Sequence, residues 1–182
     1  MSSRHTWLTV LLVVSVALNI AMVVKVRLIR SELASAAFGL AKGELVPSIR
    51  AHTVSGELTD VASSDGKRVT ILYFFSPHCK WCARNSSSVR ALATALGPNY
   101  RILGISVTDE NLPADMSQYP FPLYTYPDPS AIKSLRLFGT PQTLVVDQRG
   151  RVLHNWMGSY DPPLRQTIEA ALGVTLDGVA AR

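Results

Sequence analysis

Residues 69–82, VTILYFFSPHCKWC, contain the features that decide the fold. The first seven residues form an uninterrupted run of β-branched, aliphatic and aromatic side chains, which is typical of a strand buried on both faces of a sheet. Cys79 and Cys82 follow at once, separated by two residues. The stretch therefore predicts a buried strand, a turn that carries two thiols, and the start of a helix.

The next residues complete a strand–helix–strand unit. Val89, Leu92, Ala93 and Leu96 recur at helical spacing and form one apolar stripe. A Gly-Pro pair ends this helix, and residues 100–107 read as a second strand. A strand, a helix and a strand in this order predict a parallel pair in an α/β fold.

The remaining elements are predicted from turn residues and periodicity. A weak hairpin signal spans residues 49–61. Further along, the sequence predicts a short helix near 112–118, an extended stretch over 121–126, a helix over 130–137, and strands over 142–147 and 151–156 joined by a turn that contains Gly. Asp161 is predicted to cap a last helix, whose inner face carries Leu164, Ile168 and Leu172. The aromatic side chains of 119–126 are expected in the core, with the edge of a substrate groove as the alternative, and Trp156 is also expected in the core.

Composition indicates a folded chain with an uneven charge. Of the 182 residues, 47% are hydrophobic and 17% are charged, which excludes wholesale disorder. The net charge of +5 comes mainly from residues 1–30, which hold four basic residues and no acid. The rest of the chain is nearly neutral, with 14 basic and 13 acidic residues. We therefore expect no nucleic-acid partner, because such proteins concentrate basic charge on the folded domain.

The N-terminus is predicted to be a membrane anchor. Residues 6–24 form a run of 19 uncharged side chains, which as a helix would span about 28 Å and match the hydrocarbon core of a bilayer. A cleaved signal peptide is the alternative, with residues 15–17 as the cleavage site, and a buried core helix is a third. The predicted organisation is an anchor over 1–30, a stalk over 31–42, a globular domain over 43–173 and a tail over 174–182.

The two thiols carry the predicted chemistry. The N-terminus of a helix stabilises a thiolate, which makes Cys79 the expected nucleophile. Cys82 lies one turn further along and is the expected resolving thiol. His78 and Lys80 flank the nucleophile and would lower its pKa if their charges point toward it. A zinc site is the alternative for such a pair, but zinc needs four ligands and the sequence has no second Cys pair.

Several motifs together resemble one protein family. The strand that runs into residues 76–82 is followed by Gly139, Thr140 and Pro141 before a strand, and then by the hairpin turn at 147–150. Over residues 43–172 this order resembles the thioredoxin-like superfamily, and most closely the membrane-anchored thiol–disulfide oxidoreductases of the TlpA/ResA type. The resemblance implies a central mixed sheet flanked by helices, preceded by one transmembrane helix. It also implies that Pro141 is cis beside the cysteines and that Thr140 binds a substrate strand.

The resemblance further implies a function. The expected reaction is thiol–disulfide exchange, as a reductase of exported protein substrates, with the Cys79–Cys82 disulfide as the redox-active group and no other cofactor. A membrane or soluble electron donor would return the pair to the reduced state. The catalytic domain of this single-pass protein is expected on the outer face of the cell membrane, although the charges that flank the apolar run slightly favour the opposite orientation.

The active-site surround departs from the family pattern at four positions. His78 stands where the family usually has Trp, and Tyr73 where thioredoxins have a buried acid. Asn85 and Ser87 stand where TlpA/ResA-type proteins often have Glu and a helix-kinking Pro. Tyr73, Lys80, His78 or water would have to accept the proton of the resolving thiol. Trp81 is predicted to contact partners, because the turn between the cysteines is exposed in the resembled fold. Arg84 and Arg90 are predicted to be solvated helix charges.

Two other functions remain open from the sequence. The thiols could bind Cu(I), whose soft chemistry suits thiolates, although Sco-type copper chaperones resemble CxxxC with a distant His. A peroxiredoxin is the third candidate, but Leu72 stands where that family has Pro.

Overall fold

The computed structural model describes residues 2–37, 39–108, 112 and 119–176. The chain divides into two compact units, residues 1–37 and 38–182. The first is one helix, α1 (Ser2–Ala37), which includes residues 31–37 of the predicted stalk. Within the described residues, no helical stretch is both long and apolar enough to cross a membrane. The transmembrane helix over 6–24 therefore stays a prediction.

The second unit is built on one seven-stranded sheet, in the order β2-β1-β5-β4-β3-β6-β7. The strands are β1 (Ile49–Thr53), β2 (Leu58–Val61), β3 (Val69–Phe75), β4 (Tyr100–Ser106), β5 (Leu123–Thr125), β6 (Gln142–Val146) and β7 (Val152–Met157). Strand β3 pairs in parallel with β4 and antiparallel with β6. The sheet is therefore mixed, as predicted, and β3 is an interior strand because it has a neighbour on each side.

Helices cover the sheet on both faces. Among the described residues they are α2 (Lys80–Leu96), α3 (Pro129–Ser134) and α4 (Pro162–Leu172), and a 3₁₀ turn, Gly97–Asn99, follows α2. The apolar stripe of α2 packs with α4 on the face of the sheet that carries Ile71, Tyr73 and Phe75. Leu72 and Phe74 point to the other face, where they pack with Leu135 at the end of α3. Because side chains on both faces of β3 are covered, the sequence of this strand shows no polar face.

Most predicted elements are present, and the domain boundaries differ. Leu40 and Leu176 are both buried, with 3% and 1% of their surfaces exposed. The core therefore begins before residue 43 and extends past residue 173, because side chains outside the periodic segments still fill it. The short helix predicted near 112–118 lies outside the described residues except for Leu112, and 177–182 of the predicted tail also lie outside them.

Candidate redox site

Cys79 lies at the N-cap of α2, directly beyond the end of β3. Its backbone is extended (φ −81°, ψ 108°), and its sulfur accepts a hydrogen bond from the backbone N–H of Cys82 at 3.2 Å. The same Sγ donates to the backbone oxygen of Thr140 at 3.2 Å. The buried strand thus delivers this thiol to the helix end, where unpaired N–H groups favour negative charge.

Cys82 lies one turn inside α2 and is buried, whereas Cys79 is partly exposed. Both are free thiols in this structure. The helix therefore presents one thiol to solvent and holds the other against the core. This arrangement supports the nucleophilic and resolving roles that the sequence suggests.

The two environments move the thiol pKa values in opposite directions. Partial burial raises the pKa of Cys79, but hydrogen bonds from the side chains of Cys82 and Thr140 and from the backbone of the first helical turn outweigh it and lower that pKa. Burial is the main reason that the pKa of Cys82 rises to about 12, and the hydrogen bond with Cys79 adds to the effect. At neutral pH the first thiolate to form is therefore that of Cys79.

A buried polar cluster lies beneath Cys82. Asn85, only 1% exposed, accepts the backbone N–H of Tyr160 at 2.8 Å through Oδ1, and its Nδ2 is 3.5 Å from the hydroxyl of Tyr73. The hydroxyls of Tyr160 and Thr143 form a hydrogen bond of 3.0 Å. Asn85 therefore joins α2 to the segment that leads into α4, and it satisfies a backbone donor that would otherwise be buried without a partner.

Tyr73 does not fit the role of proton acceptor that the sequence left open for it. Burial raises the pKa of its phenol far above the ordinary value, and the charges of Tyr119 and Cys82 raise it further. Burial also raises the pKa of Tyr160. These phenols stay protonated at neutral pH, so neither of them serves as the base for the Cys82 thiol.

The loop before β6 completes the site. The Thr140–Pro141 peptide bond is cis. The Thr140 carbonyl is within hydrogen-bond distance of the Cys79 thiol, although 61 residues separate them in the chain. The backbone oxygen of Pro141 accepts the N–H of Gly158, which fixes the loop to the end of β7. The residues at 79 and 140 that the sequence assigned to one site are therefore adjacent.

The side chains between and beside the cysteines lie at the surface. His78 and Lys80 are exposed, and Trp81 retains 45% of its surface. The ammonium of Lys80 lies 5.2 Å from the centre of the Trp81 ring, and the guanidinium of Arg84 lies 5.7 Å from it. These distances are those of cation–π contacts, and Trp81 is exposed, as the sequence predicted.

Two surface predictions need correction. Arg84 is not simply a solvated charge, because it forms an ion pair of 2.8 Å with Asp161. Asp161 occupies the N-cap position of α4, but its carboxylate accepts from Arg84 and Ser159 instead of from the backbone of its own helix. The partner of each residue lies far away in sequence, which is why helix-capping rules did not reveal the pair.

The structure also shows site residues that the sequence did not indicate. Tyr160 and Thr143 join the cluster through contacts with distant segments, and no motif marks them. Asn85, by contrast, is a position that the family resemblance already marked, three residues after Cys82 and on the same face of α2. No group of three or more His, Cys, Asp or Glu side chains close enough to hold a metal ion occurs in the described part of the chain.

Solved structures with this fold include several thiol–disulfide proteins. The thioredoxin domain of thiol-disulfide oxidoreductase BVU-2223 from Bacteroides vulgatus is similar, with a TM-score of 0.56 and 18% identity over 73% of this chain and 99% of that one. A thiol:disulfide interchange protein from Bacteroides sp. gives 0.56 and 16% over 76% and 95%. StoA from Bacillus subtilis gives 0.51 and 14% over 69% and 96%. At these identities the likeness shows the fold.

The sequence itself matches a family model. No curated protein matches the chain at a significant level of sequence similarity. The model of the thioredoxin-like domain, however, matches residues 56–172, which include both cysteines and the loop with Pro141. By its fold and its sequence, the chain belongs to the thioredoxin-like domain family.

Proposed function

We propose that the protein is a thiol–disulfide oxidoreductase that reduces disulfides in exported polypeptides. The observation that carries this proposal is the contrast between the two thiols. Cys79 is accessible and has a lowered pKa, whereas Cys82 is buried and has a raised one. Exchange chemistry needs such a pair, because one thiolate must attack a substrate while the other thiol waits unreacted.

The reaction proceeds in two displacements. The Cys79 thiolate attacks one sulfur of the substrate disulfide, forms a mixed disulfide and releases the other substrate sulfur as a thiolate. Cys82 then attacks Cys79, forms the Cys79–Cys82 disulfide and releases the second substrate thiol. The substrate gains two electrons and two protons, and the protein loses them.

The proton of Cys82 has to leave before the second displacement. The groups that surround this thiol among the described residues are hydroxyls and an amide, with raised pKa values for Tyr73 and Tyr160. We infer that water or the departing substrate thiolate accepts the proton. A thiolate has a suitable pKa for this role and is generated at the same place in the first step.

The location and partners form part of the same proposal. In this proposal the backbone of Thr140, which lies next to Cys79, pairs with an extended substrate segment. The uncharged run of residues 6–24 supports a membrane anchor. With the domain on the outer face, a membrane or soluble electron donor returns the Cys79–Cys82 disulfide to the dithiol.

The redox equilibrium tests the proposal. The full-length chain, purified in mild detergent, is equilibrated in graded dithiothreitol or glutathione buffers, and its free thiols are counted by alkylation. We expect a single two-electron transition with a potential near or below about −250 mV, in the range of thioredoxin-like reductants. A potential near about −120 mV would contradict the reductase role. A pair that never forms a disulfide would contradict exchange altogether.

A further inference from the structure

Lys80, Trp81 and Arg84 form a positively charged aromatic patch beside Cys79, called here the basic patch. The indole of Trp81 is 45% exposed, and the two cations lie within 6 Å of its centre. Lys80 forms no ion pair with any residue that the structure describes. The ion pair with Asp161 uses one donor of the Arg84 guanidinium and fixes its position over the ring.

The helix that carries the patch is basic. Helix α2 contains Lys80, Arg84 and Arg90 and no Asp or Glu. Among the described ion pairs, one involves the patch, between Arg84 and Asp161. A Lys in the first turn of a helix opposes the helix dipole, so the charge of Lys80 gains nothing from that dipole and is available to a ligand that approaches Cys79.

We propose that the basic patch recognises acidic side chains next to the substrate disulfide. This inference rests on the proposed exchange function and names its substrate class: polypeptide disulfides with Asp or Glu close to the attacked cysteine. A carboxylate beside Lys80 gains a charge partner at the moment when the substrate sulfur meets Cys79. The exposed Trp81 ring supplies an apolar surface for the backbone between the carboxylate and the cysteine.

A substrate with acidic residues is reduced by the same two displacements as any other polypeptide disulfide. Cys79 forms a mixed disulfide with the peptide and displaces its second sulfur as a thiolate, and Cys82 then releases the first. The acidic residues take no part in bond formation. They raise the rate of encounter and the stability of the mixed disulfide, and both effects weaken as salt screens the charges.

Three synthetic peptides test the proposal on the full-length chain in mild detergent. Each contains the same intramolecular disulfide, flanked by two Glu, two Gln or two Lys residues. We expect the second-order rate constant for the Glu peptide to exceed that for the Gln peptide about fivefold at low salt, with the Lys peptide slowest. In about 0.5 M salt the difference should shrink to less than twofold, because the Debye length falls to a few ångströms.

Charge variants assign the preference to the patch. Lys80→Gln should reduce the Glu-to-Gln ratio toward one, and Lys80→Glu should reverse it in favour of the Lys peptide. Changes in the intrinsic reactivity of Cys79 cancel in the ratio, because both peptides meet the same thiolate. Lys133→Gln is the matched control: it removes an exposed cation from α3, on the other face of the sheet, and should leave the ratio unchanged.

The outcomes separate the two proposals. Equal rates for the three peptides, or a ratio that survives Lys80→Glu, would overturn recognition by the basic patch while exchange itself stands. If none of the peptides is reduced, the proposed function is wrong, and the inference about the patch falls with it.

Discussion

Cys79 and Cys82 are the same residue type three positions apart, yet their surroundings have little in common. Cys79 is partly exposed at the start of α2, where backbone N–H groups of the first helical turn donate to its sulfur. Cys82 lies in the core above a cluster that contains Tyr73 and Asn85. Less than one helical turn separates a site that favours the thiolate from one that favours the thiol.

This difference shows how one motif acquires two roles. The spacing of the cysteines permits a disulfide between them, but it does not say which thiol reacts first. The end of α2 and the packing of its buried face decide that. The predictions that follow disturb one environment at a time.

Removal of the nucleophile has the largest expected effect. Cys79→Ser should lower the rate of peptide-disulfide reduction by at least about a thousandfold, because a hydroxyl stays protonated where a thiolate forms. Cys82→Ser should still react once and should accumulate a mixed disulfide. Non-reducing gels and mass spectrometry distinguish these results. An adduct on Cys79→Ser would show that Cys82 is the nucleophile.

Alkylation rates measure the difference in reactivity between Cys79 and Cys82 directly. With iodoacetamide at pH 7 we expect Cys79 to react at least about a hundredfold faster than Cys82, because the pKa of Cys82 is raised to about 12 and its sulfur is buried. Since the pKa of Cys79 is lowered, its rate should rise with pH and level off at a lower pH than in an unfolded cysteine peptide. If the rate levels off at the same pH as in the unfolded peptide, or at a higher one, the lowered pKa of Cys79 is contradicted.

Substitution of Asn85 tests how much the buried cluster beneath Cys82 contributes to stability. Asn85→Ala leaves the N–H of Tyr160 without the 2.8 Å acceptor, so the free energy of unfolding should fall by about 1–3 kcal/mol. Ser87→Ala, at an exposed position of the same helix, is the control and should change it by less than about 0.5 kcal/mol. Urea unfolding followed by circular dichroism gives both values. Equal losses of unfolding free energy in the two variants would mean that the hydrogen bond between Asn85 and Tyr160 contributes nothing to stability.

The ion pair at the surface should contribute least to the free energy of unfolding. Arg84 and Asp161 keep 44% and 38% of their side-chain surfaces exposed, so solvent screens their attraction. Asp161→Asn should therefore cost only about 0.2–1 kcal/mol of unfolding free energy. A loss greater than that of Asn85→Ala would reverse the proposed order of surface and core contributions.

The sequence alone determined the local framework of the site. The apolar run of β3, the stripe of α2 and the spacing of the cysteines depend on near neighbours, and periodicity records such contacts directly. The mixed sheet and the family could be predicted from the order of these elements. Residues 72 and 74 also belong to this framework, because alternate side chains of a strand point to opposite faces.

Only the tertiary structure decided what surrounds each thiol. Cys79 meets Thr140 across 61 residues, Asn85 meets Tyr160 across 75, and Arg84 meets Asp161 across 77. Periodicity says which face of an element is buried, but not which distant atom lies against it. Desolvation and hydrogen bonding set the thiol pKa values, and both depend on those distant atoms. The roles of Cys79 and Cys82 could therefore be predicted from the helix start in the sequence, whereas the burial that separates their pKa values depends on packing.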